Sequence, residues 1–243
     1  MAQPSDGSAE AGTQRRINGQ FKGQPKRECY ALPFFMNPTI QEFYRDAGQN
    51  PRLLVLYGSR IPTSDQDYLV ILSERQGSPN CVLARYDILQ LDMEEASALT
   101  QLRDPIITEP ILTGTPIPGY EDEFKKYLQL LKESPITPAI SSHLLKCAIR
   151  EYQKVSQFAP ALRNRRDLAE FASTAAFAVS YLTFARYYSE HSLAITLAQL
   201  METVPTLRKV VDLKRSARTI GLSDAQELVE NCLRIIEQHF LKA

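Results

Sequence analysis

Asp65 and Asp67 follow closely on a run that ends in Gly58-Ser59, within the stretch Leu53 to Ile71, LLVLYGSRIPTSDQDYLVI. Side chains alternate along an extended segment, so residues i and i+2 share a face. Two carboxylates held that close repel unless a divalent cation lies between them. The pair therefore reads as a Mg²⁺ site. Leu53 to Tyr57 is short, apolar and rich in strand-forming residues. It reads as a buried strand that Gly58 breaks, and Tyr68 to Leu72 reads as the next one. A third acid, Asp87, sits inside Cys81 to Leu91, CVLARYDILQL, a run apolar on both faces as expected of one central strand. An unpaired carboxylate buried there is costly, so Asp87 needs a proton, an arginine such as Arg85 or Arg60, or a metal. Asp92, Glu94 and Glu95 fall where strand gives way to helix and read as an N-cap and first-turn acids. The plainest alternative for the whole stretch is a strand-turn-strand hairpin, with Thr63-Ser64-Asp65 as ordinary turn chemistry and Asp67 solvated.

Gly58-Ser59 closing one strand, with Ser64-Asp65-Gln66-Asp67-Tyr68-Leu69-Val70 opening the next, resembles the nucleotidyltransferases of the DNA polymerase β superfamily. The sign of that family is Gly-Ser at a strand end, then Asp-x-Asp or Asp-x-Glu. Pro38 to Ala47 reads as a helix and stands where the family has one before its first strand. The resemblance implies Asp87 as the third carboxylate on a neighbouring strand, and Mg²⁺ held by Asp65, Asp67 and Asp87. It also implies Gly58, Ser59 and Arg60 at the phosphates of a nucleoside triphosphate. Only Arg60 to Ser64 separate Gly-Ser from the first Asp. That short loop supports a different reading, a catalytically degenerate member of the fold that acts as an interaction or regulatory module.

The expected fold is α+β, a small polymerase-β-like sheet domain followed by an all-α antiparallel helical bundle. Met1 to Arg27 is rich in Gly, Ser, Gln and Ala and reads as a flexible segment. Residues 28–118 read as the α/β domain, with a helix from Asp92 to Leu102 and a short strand around Ile106 to Leu112. Residues 119–243 read as helices: Glu121 to Lys132, Ile140 to Gln157, Asp167 to Tyr188, Ser192 to Met201, Thr206 to Ala217 and Asp224 to Phe240. Each carries apolar residues at three-to-four spacing between Pro, Gly or Ser-Asp boundaries. AEFASTAAFAVSYLTFARYY is apolar nearly all round and should be the central helix.

This order of domains resembles the aminoglycoside nucleotidyltransferases of the kanamycin type. Their acceptor hydroxyl is deprotonated by a Glu on the first long bundle helix, in a segment similar to LLKCAIREYQKV. The resemblance makes Glu151 that base, and implies a small-molecule or protein hydroxyl as acceptor and a cleft shared in a homodimer. Read from the residues alone, Glu151 is a helix acid beside Arg150 and three residues before Lys154. A third reading, a helical ribonuclease, rests on Arg186 and His191 at the Arg-x4-His spacing that resembles HEPN nucleases.

With 28 basic and 28 acidic residues among 243, the chain has no global basic field for nucleic acid. Cys29, Cys81, Cys147 and Cys232 form no Cys-x-x-Cys pair, so they read as reduced intracellular thiols rather than a zinc or disulfide framework. No apolar run reaches the length of a membrane span, and the expected location is cytoplasmic.

Overall fold

Apolar runs broken by Gly and polar turns build a mixed sheet. The computed structural model describes residues 27–28, 39–58, 66–75, 80–83, 86–158, 165–217, 219–221 and 224–241. Its strands are β1 (Arg27–Glu28), β2 (Pro51–Tyr57), β3 (Gln66–Leu72), β4 (Asn80–Leu83), β5 (Tyr86–Asp92) and β6 (Thr115–Pro116). They lie in the order β1-β4-β5-β3-β2-β6, four longer strands with a two-residue strand at each edge. β3 is antiparallel to β2 and parallel to β5, and β4 is antiparallel to β5.

Helix α1 (Ile40–Asp46) starts with a capping box. Thr39 Oγ1 accepts the Glu42 N–H at 3.3 Å, and a Glu42 carboxylate oxygen accepts the Thr39 N–H at 2.7 Å. Ile40, Phe43 and Tyr44, at helical spacing, form one buried cluster with Leu54, Tyr68, Val70, Leu72 and Ile88 of the sheet. Strand alternation turns Leu53, Val55, Leu69, Ile71, Leu89 and Leu91 to the opposite face, and these are buried as well.

Two expectations are corrected. Cys81 to Leu91 is not one central strand but the two antiparallel strands β4 and β5, so Asp87 stands near the start of β5, not in mid-strand. Ile106 to Leu112 is not a strand but lies in helix α3 (Pro105–Thr113). Its Ile and Thr residues suit a strand, but Pro105 at the first helical position and Asp104 just before it make a strong helix start. Asp104 Oδ1 accepts the Ile106 N–H at 3.0 Å.

The remaining helices are α2 (Met93–Gln101), α4 (Glu121–Glu133), α5 (Pro138–Phe158), α6 (Arg165–Glu190), α7 (Leu197–Thr203), α8 (Pro205–Ser216) and α9 (Ala225–Leu241). The chain divides into two units, Met1–Ala98 with Gly114–Lys125, and Leu99–Thr113 with Lys126–Ala243. The first holds the sheet and α1, and the second holds α3 and α5 to α9. In the second unit α6 packs along α5 and against α8 and α9. Its Ala172, Ala175, Ala176, Ala178 and Ala185 are buried and let neighbouring backbones approach. Its buried hydroxyls turn back on the helix, Ser180 Oγ donating to the Ala176 carbonyl and Thr183 Oγ1 to the Val179 carbonyl. By length and composition Asp167–Glu190 is apolar enough to cross a membrane, contrary to the sequence expectation, yet 72% of its most apolar window is buried inside the fold. A core helix accounts for both properties.

Candidate functional site

Tyr57, Asp67 and Asp87 stand in one row across three strands. Tyr57 is the register partner of Asp67 on antiparallel β2 and β3, and Asp67 is the partner of Asp87 on parallel β3 and β5. Register partners point to the same face, so two carboxylates and a phenol lie side by side on the face opposite α1. All three are half-buried. Burial, then the negative charges of Asp67 and Asp87, hold the Tyr57 phenol above its usual pKa, so it stays protonated.

Gly58 ends β2 with φ +80°, and the Asp67 carboxylate is pressed against it. A Cβ there would overlap Asp67 Oδ2 and lie 3.0 Å from its Cγ. Only glycine meets both demands, the left-handed backbone and the close approach. Ser59, Arg60 and Asp65 lie outside the described residues, as do Arg85 and the loop before Asp65. The structure thus joins Gly58, Asp67 and Asp87 in the first unit.

Asp87→Asn removes one of two neighbouring negative charges. If Asp87 binds metal, metal-free stability should stay level or rise while Mg²⁺ affinity falls. A loss of about 3–5 kcal/mol irrespective of Mg²⁺ would instead identify Asp87 as the partner of a buried cation.

The acids after β5 hold structure. Asp92 Oδ1 accepts the Glu95 N–H at 2.7 Å, and Glu95 Oε2 accepts the Asp92 N–H at 3.1 Å, a reciprocal cap on α2. Arg75 also binds Glu95, Nη2 to Oε1 at 2.8 Å and Nε to Oε2 at 3.2 Å.

Glu151 lies on α5 in the second unit and is buried. Lys154 Nζ donates to both of its oxygens, at 2.8 and 2.9 Å, and Arg150 Nε donates to Oε1 at 3.1 Å. Of the Arg-x4-His pair, Arg186 Nη2 donates to the His239 carbonyl at 3.2 Å. His191 stacks on Tyr187 with ring centroids 4.5 Å apart.

A second cluster escaped the sequence reading. α2 ends in a left-handed turn at Arg103, φ 51°, which starts Asp104 into α3. Arg103 is buried, lies over the Tyr188 ring at 5.3 Å and donates through Nη2 to the Ser134 carbonyl at 3.1 Å. Asp104 Oδ1 accepts the Tyr181 phenol at 3.0 Å as well as the Ile106 N–H, and Oδ2 lies 2.8 Å from His143 Nε2. Cys147 Sγ lies 3.7 Å from the same nitrogen. His143 and Cys147, at i and i+4, share one face of α5, and that spacing was the legible signal.

Burial disfavours the His143 imidazolium, but its hydrogen bonds to Asp104 and Cys147, with the Asp104 charge, outweigh burial and push it up to about 10. Burial and the Asp104 charge raise the Tyr181 phenol well above its usual range. Since the folded value of His143 exceeds the solution value of 6.5, the imidazolium stabilises the fold fully below that pH and its contribution vanishes as pH rises through about 10. In chelator-treated protein the melting temperature should fall across that window, a loss on the order of a few kcal/mol. His143→Gln should flatten the slope, and an unchanged slope would contradict the buried imidazolium. Among the described residues, Asp104, Cys147, Tyr181 and the Arg150 guanidinium are ionisable groups that act on His143 or its immediate partners.

Compared with protein-family models and with curated proteins, the chain matches none.

Proposed function

We propose that this chain is a Mg²⁺-dependent nucleotidyltransferase that moves a nucleoside monophosphate from a nucleoside triphosphate to a hydroxyl of a small aminoglycoside-like molecule or of a protein. The observation that carries the reading is the in-register row of Asp67 and Asp87 on adjacent parallel strands, with Gly58 against Asp67. An all-oxygen, half-exposed carboxylate pair is the donor set that suits Mg²⁺.

Asp67 and Asp87, joined by Asp65, would hold the ion. When bound, Mg²⁺ neutralises triphosphate charge and acidifies the acceptor hydroxyl. Gly58 lets Asp67 sit against the strand end, while Ser59 and Arg60 bind the β and γ phosphates, a task suited to a glycine-containing turn and a cation. Tyr57 keeps its proton and adds no third negative charge to the row. In the transfer the acceptor hydroxyl loses its proton to a base, the role that the resemblance gives Glu151; its oxygen bonds to the α-phosphorus, and the bond to the bridging oxygen breaks, releasing pyrophosphate. Glu151 is engaged by both Lys154 and Arg150, and can act as a base only when that pairing opens.

That double ion pair favours a second reading, a non-catalytic module of the same fold that binds nucleotide without turning it over. A thermal shift with each nucleoside triphosphate tests the common part. Triphosphate with Mg²⁺ should raise the melting temperature with concentration, and neither alone should do so equally. No shift with any triphosphate would remove both readings.

A further inference from the structure

We propose that Asp104, His143 and Cys147 form a Zn²⁺ site, with Asp104 Oδ2, His143 Nε2 and Cys147 Sγ as its donors. These three atoms lie within 4.8 Å of one another, and all three residues are buried. In a nucleophile relay the thiol and the acid engage opposite nitrogens of the imidazole. Here both face Nε2, at 3.7 and 2.8 Å. Three donors therefore converge on one point, as ligands do around an ion.

The distances are close to those an ion needs. Zinc bonds of about 2.0–2.3 Å in tetrahedral geometry separate neighbouring donors by about 3.3–3.6 Å. Uptake has only to open the Asp104–His143 contact by a fraction of an ångström and draw Cys147 inward. The donors are also held in advance. His143 and Cys147 are one turn apart on α5, and Asp104 is turned by the Ile106 N–H and the Tyr181 phenol, both bound to Oδ1, so that Oδ2 faces the imidazole. A thiolate, an imidazole and a carboxylate suit zinc, unlike the all-oxygen row of Asp67 and Asp87.

Charge also balances. Zinc takes imidazole as the neutral ring and cysteine as the thiolate, so uptake releases protons into solvent. The ion, one thiolate and one carboxylate sum to zero, and the occupied site buries no net charge. Arg150 faces Cys147 and Tyr181 and is itself paired with Glu151.

The test uses the full chain stripped of metal and titrated with Zn²⁺, and with Co²⁺ as an optical probe. One equivalent of Zn²⁺ should bind and raise the melting temperature. Calorimetry in buffers of different ionisation heat should show protons released on binding. Co²⁺ should give a near-ultraviolet thiolate charge-transfer band, lost in Cys147→Ser and retained in Cys232→Ser. Tyr181→Phe should weaken Zn²⁺ about 10–100-fold without removing the sulfur ligand. X-ray absorption on the zinc-loaded unsubstituted chain should find one sulfur among nitrogen and oxygen neighbours, a readout that no folding defect of a variant can affect. Asp67→Asn should bind Zn²⁺ unchanged, which keeps this result separate from nucleotide transfer. Less than one equivalent bound, a zinc shell without sulfur, or a cobalt band that survives Cys147→Ser overturns the site.

Discussion

Asp67→Asn should lower nucleotidyl transfer by about a thousandfold or more, with circular dichroism and metal-free melting close to those of the unsubstituted chain. The substitution keeps the shape of the side chain and removes one negative charge from the proposed metal site. A loss of about 4 kcal/mol of transition-state stabilisation, the scale on which a bound cation acts, corresponds to that factor. Asp67 is the centre of the row, with Tyr57 on one side and Asp87 on the other. An Asp67→Asn protein that turns over at the original rate excludes the row as the place where the triphosphate is held.

Gly58→Ala should damage stability and activity together. A non-glycine residue at φ +80° costs about 1–2 kcal/mol in backbone strain alone. The new methyl group would also occupy the position of the Asp67 carboxylate, which must swing away. Displacing a metal-binding oxygen by about 1 Å is enough for a hundredfold loss in rate. Denaturant unfolding and turnover should therefore both fall, whereas Gly48→Ala, also at positive φ but with nothing near its Cβ, should affect stability alone. Gly58→Ala with lowered stability and full turnover would show that the close approach of Gly58 to Asp67 has no part in the chemistry.

The strands β2 and β3 were legible because apolar runs and a glycine break leave little choice of period. The break between β4 and β5 was not, since the sequence Ala84-Arg85 between them carries no Gly, Pro, Asn or Asp to announce it. α3 was misread because Ile106, Ile107 and Thr108 have strand-forming side chains. The decisive signal was Asp104-Pro105, a cap and first-turn pair that outweighs propensity. The same local features explain what could be seen of the sites. Gly58, Asp67 and Asp87 lie within one stretch of sequence, and the register of β3 and β5 then brings the two acids together. Asp104 stands 39 residues from His143 and 77 from Tyr181, so their meeting depends on helix packing that no spacing rule encodes. Glu151 reads as an ordinary helix acid beside two cations, and only its burial shows how fully Lys154 and Arg150 engage it.

Pyrophosphate release is the most direct measurement of the central claim. The chain is incubated with Mg²⁺ and each nucleoside triphosphate, across aminoglycosides, other small alcohols and protein hydroxyls, with Asp67→Asn and Glu151→Gln in parallel. Release that requires Mg²⁺ and the right acceptor, that vanishes in Asp67→Asn and that falls in Glu151→Gln is the predicted result. Triphosphate that binds by calorimetry yet yields no pyrophosphate with any acceptor would contradict it and leave a nucleotide-binding module in its place.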